Sequence, residues 1–295
     1  MTARTPVILH RLRRISLGEM IVHILLLILV AICLLPIIWV TLSSFKGKVE
    51  LYKILPPKLW VNHPTLTNYE WILLVNPEFP LQMRNSAIIT ITSMVLRTLV
   101  ASLAGYALAR INFRGRDAIF LTMIVAMFIP RAGGLMAQYE LLEWLHLRNN
   151  FWGVILHFVS GQSRALFIMR QTFLAVPSEL EDAGLIDGAN RFQLFWHIAI
   201  PMCTGGMIFI AIDTFIWAWG DFLFTYTMLD FPEMFTVSIG VQRFSGHAAS
   251  LAGEDVAGYG AECAGYVLSM LPTIIIFIVL QKWFVRGLSQ GIIKL

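Results

Sequence analysis

Residues 177–201 read PSELEDAGLIDGANRFQLFWHIAIP, the longest polar and charged stretch in the second half of the chain. It is rich in charged and polar residues, whereas the second half of the chain is otherwise strongly apolar. Ser178 followed three residues later by Glu181 is a capping-box signature, which predicts the start of a helix. Gly188 can adopt the left-handed backbone conformation that ends a helix. The first part of the stretch therefore predicts a short polar helix followed by a glycine turn.

A second short helix should follow this turn. Asn190 with Gln193 forms a weaker capping box, and the residues after it are mostly apolar. Pro201 should interrupt the second helix, because proline lacks the backbone N–H that a helix interior requires. A polar helix pair set between two apolar spans predicts a contact surface that projects from a membrane.

Composition places the chain in a membrane. Of its 295 residues, 57% are hydrophobic and 14% are charged, whereas soluble domains have about 25% charged residues. The net charge of +4 does not indicate nucleic-acid binding, because the basic residues lie mainly at the ends of apolar spans. The cysteines Cys33, Cys203 and Cys263 lack metal-ligand spacing. The first apolar stretch is too long for a cleavable signal peptide.

Six apolar stretches are long enough to cross a bilayer, which takes roughly 20 residues as a helix. The predicted fold is therefore an all-α integral membrane protein with six transmembrane helices. These spans cover residues 20–42, 86–108, 118–136, 151–174, 203–229 and 264–280. Ala101, Gly105 and Ala109 lie four residues apart, a spacing that favours close helix packing in lipid.

The basic residues predict an orientation with both termini in the cytoplasm. This orientation places the contact stretch inside the cell, a long segment at 45–82 outside, and a glycine-rich outer loop at 245–260. We predict three parts: residues 1–82 with the first span and outer loop, a core transmembrane domain at 83–284 that contains the contact stretch, and a tail at 285–295. The inner basic residues are Arg4, Arg11, Arg13, Arg14, Arg110, Arg114, Arg116, Arg191, Lys282, Arg286 and Lys294.

The contact stretch resembles the EAA loop of the permeases of binding-protein-dependent ABC importers. The match consists of Asp182-Ala183-Gly184, then Gly188, then Ile198 and Pro201, at the family spacing. Asp182, Gly184 and Ile200 stand where the family usually has glutamate, alanine and leucine. The resemblance implies that this loop docks on a separate ATPase. The implied coupling residues are Glu179, Glu181, Asp182, Ala183, Gly184, Asp187, Gly188 and Arg191.

Two further stretches resemble the sugar permeases of this family. These are ASLAGYALARINFRGR after Asn85-Ser86, and the tail QKWFVRGLSQGIIK, which is similar to that of the maltose-type second permease. The resemblance implies a type I importer permease in the bacterial cytoplasmic membrane that works by alternating access within membrane lipid. The implied partners are a second permease, two ATP-binding subunits, a periplasmic or lipid-anchored solute-binding protein and an oligosaccharide.

Motifs for catalysis are absent from the sequence. No G-x-x-x-x-G-K-[ST] phosphate-binding loop occurs, so ATP and magnesium should bind the partner subunits and this chain should hold no cofactor. There is no nucleophile elbow and no H-E-x-x-H metal motif, so we predict neither a catalytic residue nor a metal site. The isolated His157 and His197 are interpreted as structural or interfacial.

Charged residues inside the predicted spans indicate the substrate pathway, because a charge at bilayer mid-depth costs about 2.5–3.5 kcal/mol and normally faces the bundle interior. Internal pairing of Arg97 or Arg164 with Asp213 is one interpretation. A cation-lined cavity for an anionic substrate is the other, since three arginines, including Arg131, oppose two aspartates. The pathway candidates are Arg97, Gln162, Arg164, Asp213, Trp217, Trp219 and Asp221.

We therefore expect a permease for an oligosaccharide, with an acidic uronate sugar of the alginate type favoured over a neutral one. Aromatic faces such as those of Trp217, Trp219, Phe222 and Tyr226 would serve a neutral sugar. An alternative is an ion- or proton-coupled secondary transporter that uses Asp213 and Asp221 as a relay. A non-transporting membrane scaffold or receptor is a third hypothesis.

Overall fold

The computed structural model describes residues 17–52, 58–129, 131–251 and 258–292, with side chains for 18–52, 58–129, 133–244 and 258–282. All regular structure in these ranges is helical. The basic flank from Arg4 to Arg14 and residues 293–295 lie outside the described residues. The side chains of Arg131 and of residues 283–292 also lie outside them.

The first third of the chain contains two long helices joined by short helical segments. The elements are α1 at Leu17–Ser44, α2 at Lys48–Tyr52, α3 at Thr67–Glu70 continued by a π turn at Trp71–Val75, and α4 at Glu78–Arg110. Asn68 donates hydrogen bonds of 2.9 Å to the carbonyls of Ser44 and Lys46. These bonds fasten the segment between the long helices to the end of α1.

The middle third is broken into shorter helices. They are α5 at Arg116–Ala126, a 3-10 turn at Arg131–Gly134, α6 at Leu135–Trp144, α7 at Phe151–Ser160 and α8 at Ser163–Leu174. The predicted continuous spans at 118–136 and 151–174 are therefore wrong as single helices. Hydropathy did not reveal the breaks, because the residues at the breaks include apolar and small ones.

The last third begins with the predicted helix pair. Its elements are α9 at Ser178–Ile186, α10 at Arg191–Leu194, a π turn at Phe195–Ala199, α11 at Ile200–Met202, α12 at Thr204–Gly220, α13 at Leu223–Met228, a 3-10 turn at Pro232–Met234, α14 at Val237–Leu251 and α15 at Gly258–Ile292. The predicted span at 203–229 is therefore divided at Asp221 and Phe222.

Three described helical segments are long and apolar enough to cross a membrane: Gly18–Ser44, Glu78–Arg110 and Gly258–Lys282. A fourth crossing arises if Arg191–Met202 and Thr204–Gly220, which meet at a bend of 76°, form one broken span. The three long segments match the first, second and sixth predicted spans, and the bent pair includes the start of the fifth. The total of six stays a prediction.

The described residues of the glycine-rich stretch, 245–251 and 258–260, are helical, so the prediction of a loop is wrong for them. They form the end of α14 and the start of α15. Gly258 and Gly260 are buried, and a Cβ on Gly260 would lie 2.6 Å from the amide nitrogen of Asn68. Glycine at this position permits close helix packing.

Helix α4 is the centre of the bundle. It packs against α7, α8, α12 and α14, and a Cβ on Gly105 would lie 2.7 Å from that of Met169 in α8. The close packing predicted for Ala101, Gly105 and Ala109 is confirmed at this glycine. Many polar residues of α4 face inward, as expected for a helix whose other face meets lipid, whereas Glu78 and Arg84 near its start are exposed. The buried ones include Asn85, Ser86, Thr90, Ser93 and Arg97.

Candidate functional site

A buried arginine forms the centre of the predicted pathway residues. Arg97 is fully buried on α4, and its Nη1 lies 3.1 Å from Oδ2 of Asp213 on α12. The same nitrogen donates to the Thr214 hydroxyl at 3.0 Å, and Nη2 donates to the Gly161 carbonyl at 2.9 Å. The guanidinium also lies 5.1 Å from the ring centroid of Trp217. Arg97 thus joins α4, α12 and the break after α7.

Asp213 is shared by a second arginine. Nη2 of Arg164, in the first turn of α8, donates to Oδ1 of Asp213. The Arg164 side chain is 46% exposed and that of Asp213 is 19% exposed. The internal pairing that we considered is therefore present, and it includes both arginines. Among the described ion pairs of this cluster, two cations face one anion, which leaves a surplus positive charge, and the more exposed cation is Arg164.

The break between α7 and α8 explains how these groups meet. Gly161 and Gln162 separate the two helices, and a Cβ on Gly161 would lie 2.8 Å from the Trp217 ring. Glycine therefore allows the indole to approach the chain where the Gly161 carbonyl accepts from Arg97. Irregular backbone at membrane depth is tolerated where it is buried in protein or lines a cavity.

Two of the remaining pathway candidates have structural partners outside the cluster of Arg97, Arg164 and Asp213. The Gln162 side chain donates to the Val159 carbonyl at 2.6 Å. Trp219 is buried, donates to the Ser269 carbonyl at 2.9 Å and stacks on Phe215. Trp219 therefore packs in the core.

Asp221 lies at the second break, between α12 and α13. Its Oδ1 accepts from the backbone N–H of Thr225 at 2.9 Å, so the carboxylate stabilises the start of α13. The structure thus brings together Arg97, Arg164, Asp213 and Trp217, with Gln162 beside them in the chain, and gives Trp219 and Asp221 separate surroundings.

His157 was missed as a neighbour of this cluster. Its ring stacks on Phe224 with centroids 3.5 Å apart, and the Trp217 ring lies 5.4 Å away. Its Nδ1 lies 2.6 Å from Oε1 of Gln138. The sequence carries one signal for this arrangement, a lone histidine on an apolar helix, and the partners come from distant segments.

The glycine turn of the second candidate region has the predicted geometry. Gly188 has φ +84°, and its N–H donates to the Leu185 carbonyl at 3.1 Å, while the N–H of Ala189 donates to the Gly184 carbonyl at 2.9 Å. This pair of bonds is a Schellman motif. The capping box of Asn190 with Gln193 is also present.

The capping box predicted for Ser178 with Glu181 is wrong. Pro177 precedes the helix and no side chain caps it. Glu181 is buried instead, with Oε1 3.0 Å from Nε of Arg110 and Oε2 accepting from the Tyr106 hydroxyl at 3.2 Å. A distant cation has replaced the local backbone N–H as the partner of this carboxylate.

The predicted coupling residues divide into an outer and an inner set. Glu181 points inward. Gly184 is half-buried and packs closely on the second helix, since a Cβ there would lie 2.6 Å from Cδ2 of Leu194. Ile186 beside them is 87% exposed. The exposed coupling residues are Glu179, Asp182, Ala183, Asp187, Gly188 and Arg191. Their surface includes a shallow cavity of about 320 Å³ lined by Asp187, Gly188, Ala189, Gln193, Leu194, His197 and Ile198.

Similar proteins show the family. Residues 98–292 match the family described as "Binding-protein-dependent transport system inner membrane component". A probable ABC transporter permease protein of Pyrococcus horikoshii is 32% identical over 86% of this chain and 90% of that protein. The arabinooligosaccharides transport system permease AraQ of Halalkalibacterium halodurans is 31% identical over 89% of this chain and 92% of that protein.

A solved structure shows the same fold. It is the crystal structure of a bacterial ABC transporter involved in the import of the acidic polysaccharide alginate. The match has a TM-score of 0.81 at 22% identity and covers 91% of this chain and 98% of that one. A second match, with a TM-score of 0.62 at 13% identity, is an alginate ABC transporter in complex with a periplasmic protein.

Family membership and the apolar helices agree with each other and with the predicted type I permease fold. The chain belongs to the family of inner membrane components of binding-protein-dependent transport systems: it is a multi-pass ABC transporter permease subunit and not an enzyme.

Proposed function

We propose that this chain forms half of the translocation pathway of an ABC importer for oligosaccharides. Its relatives include permeases named for arabinooligosaccharides, galactooligosaccharides and maltodextrin. A second permease would supply the other half, and a solute-binding protein would deliver the sugar. Both termini would lie in the cytoplasm, where two ATP-binding subunits bind ATP and magnesium.

An acidic oligosaccharide is the substrate class that we infer. The observation that carries this proposal is the sharing of Asp213 by two arginines, which leaves the half-exposed Arg164 in a cluster with surplus positive charge. A sugar carboxylate can accept charge-assisted hydrogen bonds from a guanidinium, and these bonds are about twice as strong as neutral ones. The related alginate importer structure is consistent with this choice.

Coupling to the ATPase would occur through α9 and α10. Glu179, Asp182 and Arg191 are exposed there beside the large apolar side chains of Ile186 and Phe192. A charged surface with exposed apolar anchors is typical of protein contacts. The ATPase would push on this helix pair, and the bundle would open in turn to the outside and the inside.

The test compares ATP hydrolysis by the reconstituted complex with its binding protein in the presence of acidic or neutral oligosaccharides. We expect the acidic sugar to stimulate hydrolysis and Arg164→Gln to remove most of that stimulation. Stimulation by the neutral sugar alone would refute the acidic substrate and favour the aromatic side chains near Trp217 as the sugar contacts.

A proton-coupled secondary transporter has less support. The carboxylate of Asp213 faces two arginines and that of Asp221 accepts from the backbone N–H of Thr225 in α13, so these two carboxylates have different partners. Uptake that persisted without the ATPase subunits, with a pH gradient intact, would favour that alternative.

A further inference from the structure

The base of the predicted coupling surface contains a buried ion pair. The side chains of Arg110 and Glu181 are 13% and 6% exposed, and Nε of Arg110 lies 3.0 Å from Oε1 of Glu181. The Tyr106 hydroxyl donates to the other carboxylate oxygen at 3.2 Å. Both partners of Glu181 lie in the last turns of α4, so this one side chain connects α9 to the end of the central helix.

The same guanidinium also holds the end of α8. Nη2 of Arg110 donates to the carbonyl of Phe173 at 2.8 Å and to that of Val176. The last carbonyls of a helix lack partners within the helix and attract cations. A single side chain, that of Arg110, therefore contacts the end of α8, the turn that precedes α9, and α9.

Apolar side chains pack around this point. The Tyr106 ring lies 5.4 Å from that of Phe173 and 5.2 Å from that of Phe195, which follows α10. Cys203 and Ala199 are buried in the same cluster. Both ends of the coupling stretch thus pack on the last turns of α4.

Helix α4 continues without interruption from this point to Arg97 and its contact with Asp213. Arg97 and Arg110 lie on the same helix, about 20 Å apart along its axis at 1.5 Å per residue. Arg97 binds Asp213 at one level and Arg110 binds Glu181 at the other. A displacement of α9 that moves Glu181 would therefore act on the helix that carries Arg97.

Glu181 also has a local alternative that the structure does not use. Its position three residues after Ser178 suits a capping box, which would stabilise α9 by itself. The carboxylate is instead buried with a long-range partner, and burying a charge carries a cost in desolvation. The arrangement favours attachment of α9 to α4 over the stability of α9 alone.

We propose that Glu181 is a positioning residue that, with Arg110 and Tyr106, transmits movement of α9 to α4 and so links ATP hydrolysis to opening of the pathway. The inference rests on the proposed ATPase coupling. It differs from the family resemblance, which implies that Glu181 contacts the ATPase, because here the side chain acts from inside the permease.

The test measures substrate taken up per ATP hydrolysed in the reconstituted complex. Glu181→Gln keeps the shape of the side chain and removes its charge. We expect it to lower this ratio about tenfold, within the range of coupling between sites, while ATP hydrolysis stays within about twofold of the wild type. Arg110→Lys should retain part of the ratio, because its ammonium keeps the charge but cannot reach all three partners.

The matched control is Asp117→Asn. Asp117 forms an ion pair with Arg116 at 3.3 Å, but its side chain is 81% exposed, so its loss should leave the ratio unchanged. If Glu181→Gln prevents assembly of the complex, Tyr106→Phe is the variant that tests the proposal. We expect it to lower the ratio of uptake to hydrolysis about threefold, because it removes one hydrogen bond to Glu181.

The outcomes separate the two proposals. A wild-type complex without ATP-driven uptake would refute the proposed function. Suppose instead that the wild type is coupled and that Glu181→Gln takes up as much substrate per ATP as the wild type, even if uptake and hydrolysis both fall. This result would overturn the role of Glu181 and leave its ion pair with Arg110 as a stabilising contact. If Glu181→Gln does not assemble, an unchanged ratio of uptake to hydrolysis in Tyr106→Phe would overturn the role of Glu181 as well.

Discussion

Nη1 of Arg97 lies 3.1 Å from Oδ2 of Asp213, and this contact ties the central helix α4 to α12 within the bundle. The arginine is fully buried and its partner carboxylate is shared with Arg164. Removing one member of a buried ion pair leaves an uncompensated charge, which costs more than the pair contributes when intact.

Asp213→Asn should destabilise the protein by about 3–5 kcal/mol, because two guanidiniums would lose their counter-ion in the bundle. Denaturation of the purified permease in detergent micelles would measure the change. Asp117→Asn breaks an ion pair whose carboxylate is largely exposed, so it should leave the midpoint of the unfolding transition unchanged. If Asp213→Asn unfolded at the same denaturant concentration as the wild type, the shared carboxylate would not be needed for stability.

Arg164→Gln should affect transport more than stability, because the Arg164 side chain is nearly half exposed while Asp213 retains its bond to Arg97. We expect uptake of an acidic oligosaccharide to fall about tenfold or more, the equivalent of one charge-assisted hydrogen bond. Arg164→Lys, which keeps the charge, should lose less. Equal uptake of the acidic sugar by all three proteins would place the substrate elsewhere.

Gly161→Ala should disturb the break between α7 and α8, because the added Cβ would lie 2.8 Å from the Trp217 ring. Overpacking of this kind typically costs about 1–3 kcal/mol. The control is Gly220→Ala, since no atom lies within 4 Å of a Cβ at that position. Thermal unfolding of both variants would measure the difference. Replacing Trp217 by the smaller Phe should restore part of the stability lost in Gly161→Ala, and no restoration would contradict the assigned clash.

Gly188→Val should uncouple ATP hydrolysis from uptake, because a β-branched residue at φ +84° is strained. No atom lies within 4 Å of an added Cβ, so the effect would come from the backbone alone. Gly188→Asn is the control, since asparagine tolerates the left-handed conformation. The ratio of uptake to hydrolysis would be compared among the three proteins. Normal coupling in the valine variant would count against the role of this turn.

Local patterns in the sequence were sufficient for the class of protein and for part of the contact stretch. Apolar length predicted a membrane protein, because each span must satisfy its own backbone hydrogen bonds in lipid. The turn at Gly188 and the capping box of Asn190 with Gln193 were predicted correctly. Each of these depends on residues a few positions apart, so the chain specifies them before it folds.

Tertiary structure set the helix breaks, the burial of Gly258 and Gly260, and the partners of the charged residues. Gly161 breaks a helix where Trp217 packs against it, and no local pattern records the position of that indole. Glu181 had a local partner available in its own helix and bound Arg110 instead, 71 residues away in the chain. Composition and apolar length were enough to predict a membrane protein in which each buried charge needs a partner. Only the packing of distant helices decided which partner each charge has, because desolvation requires a counter-ion but does not specify its position in the chain.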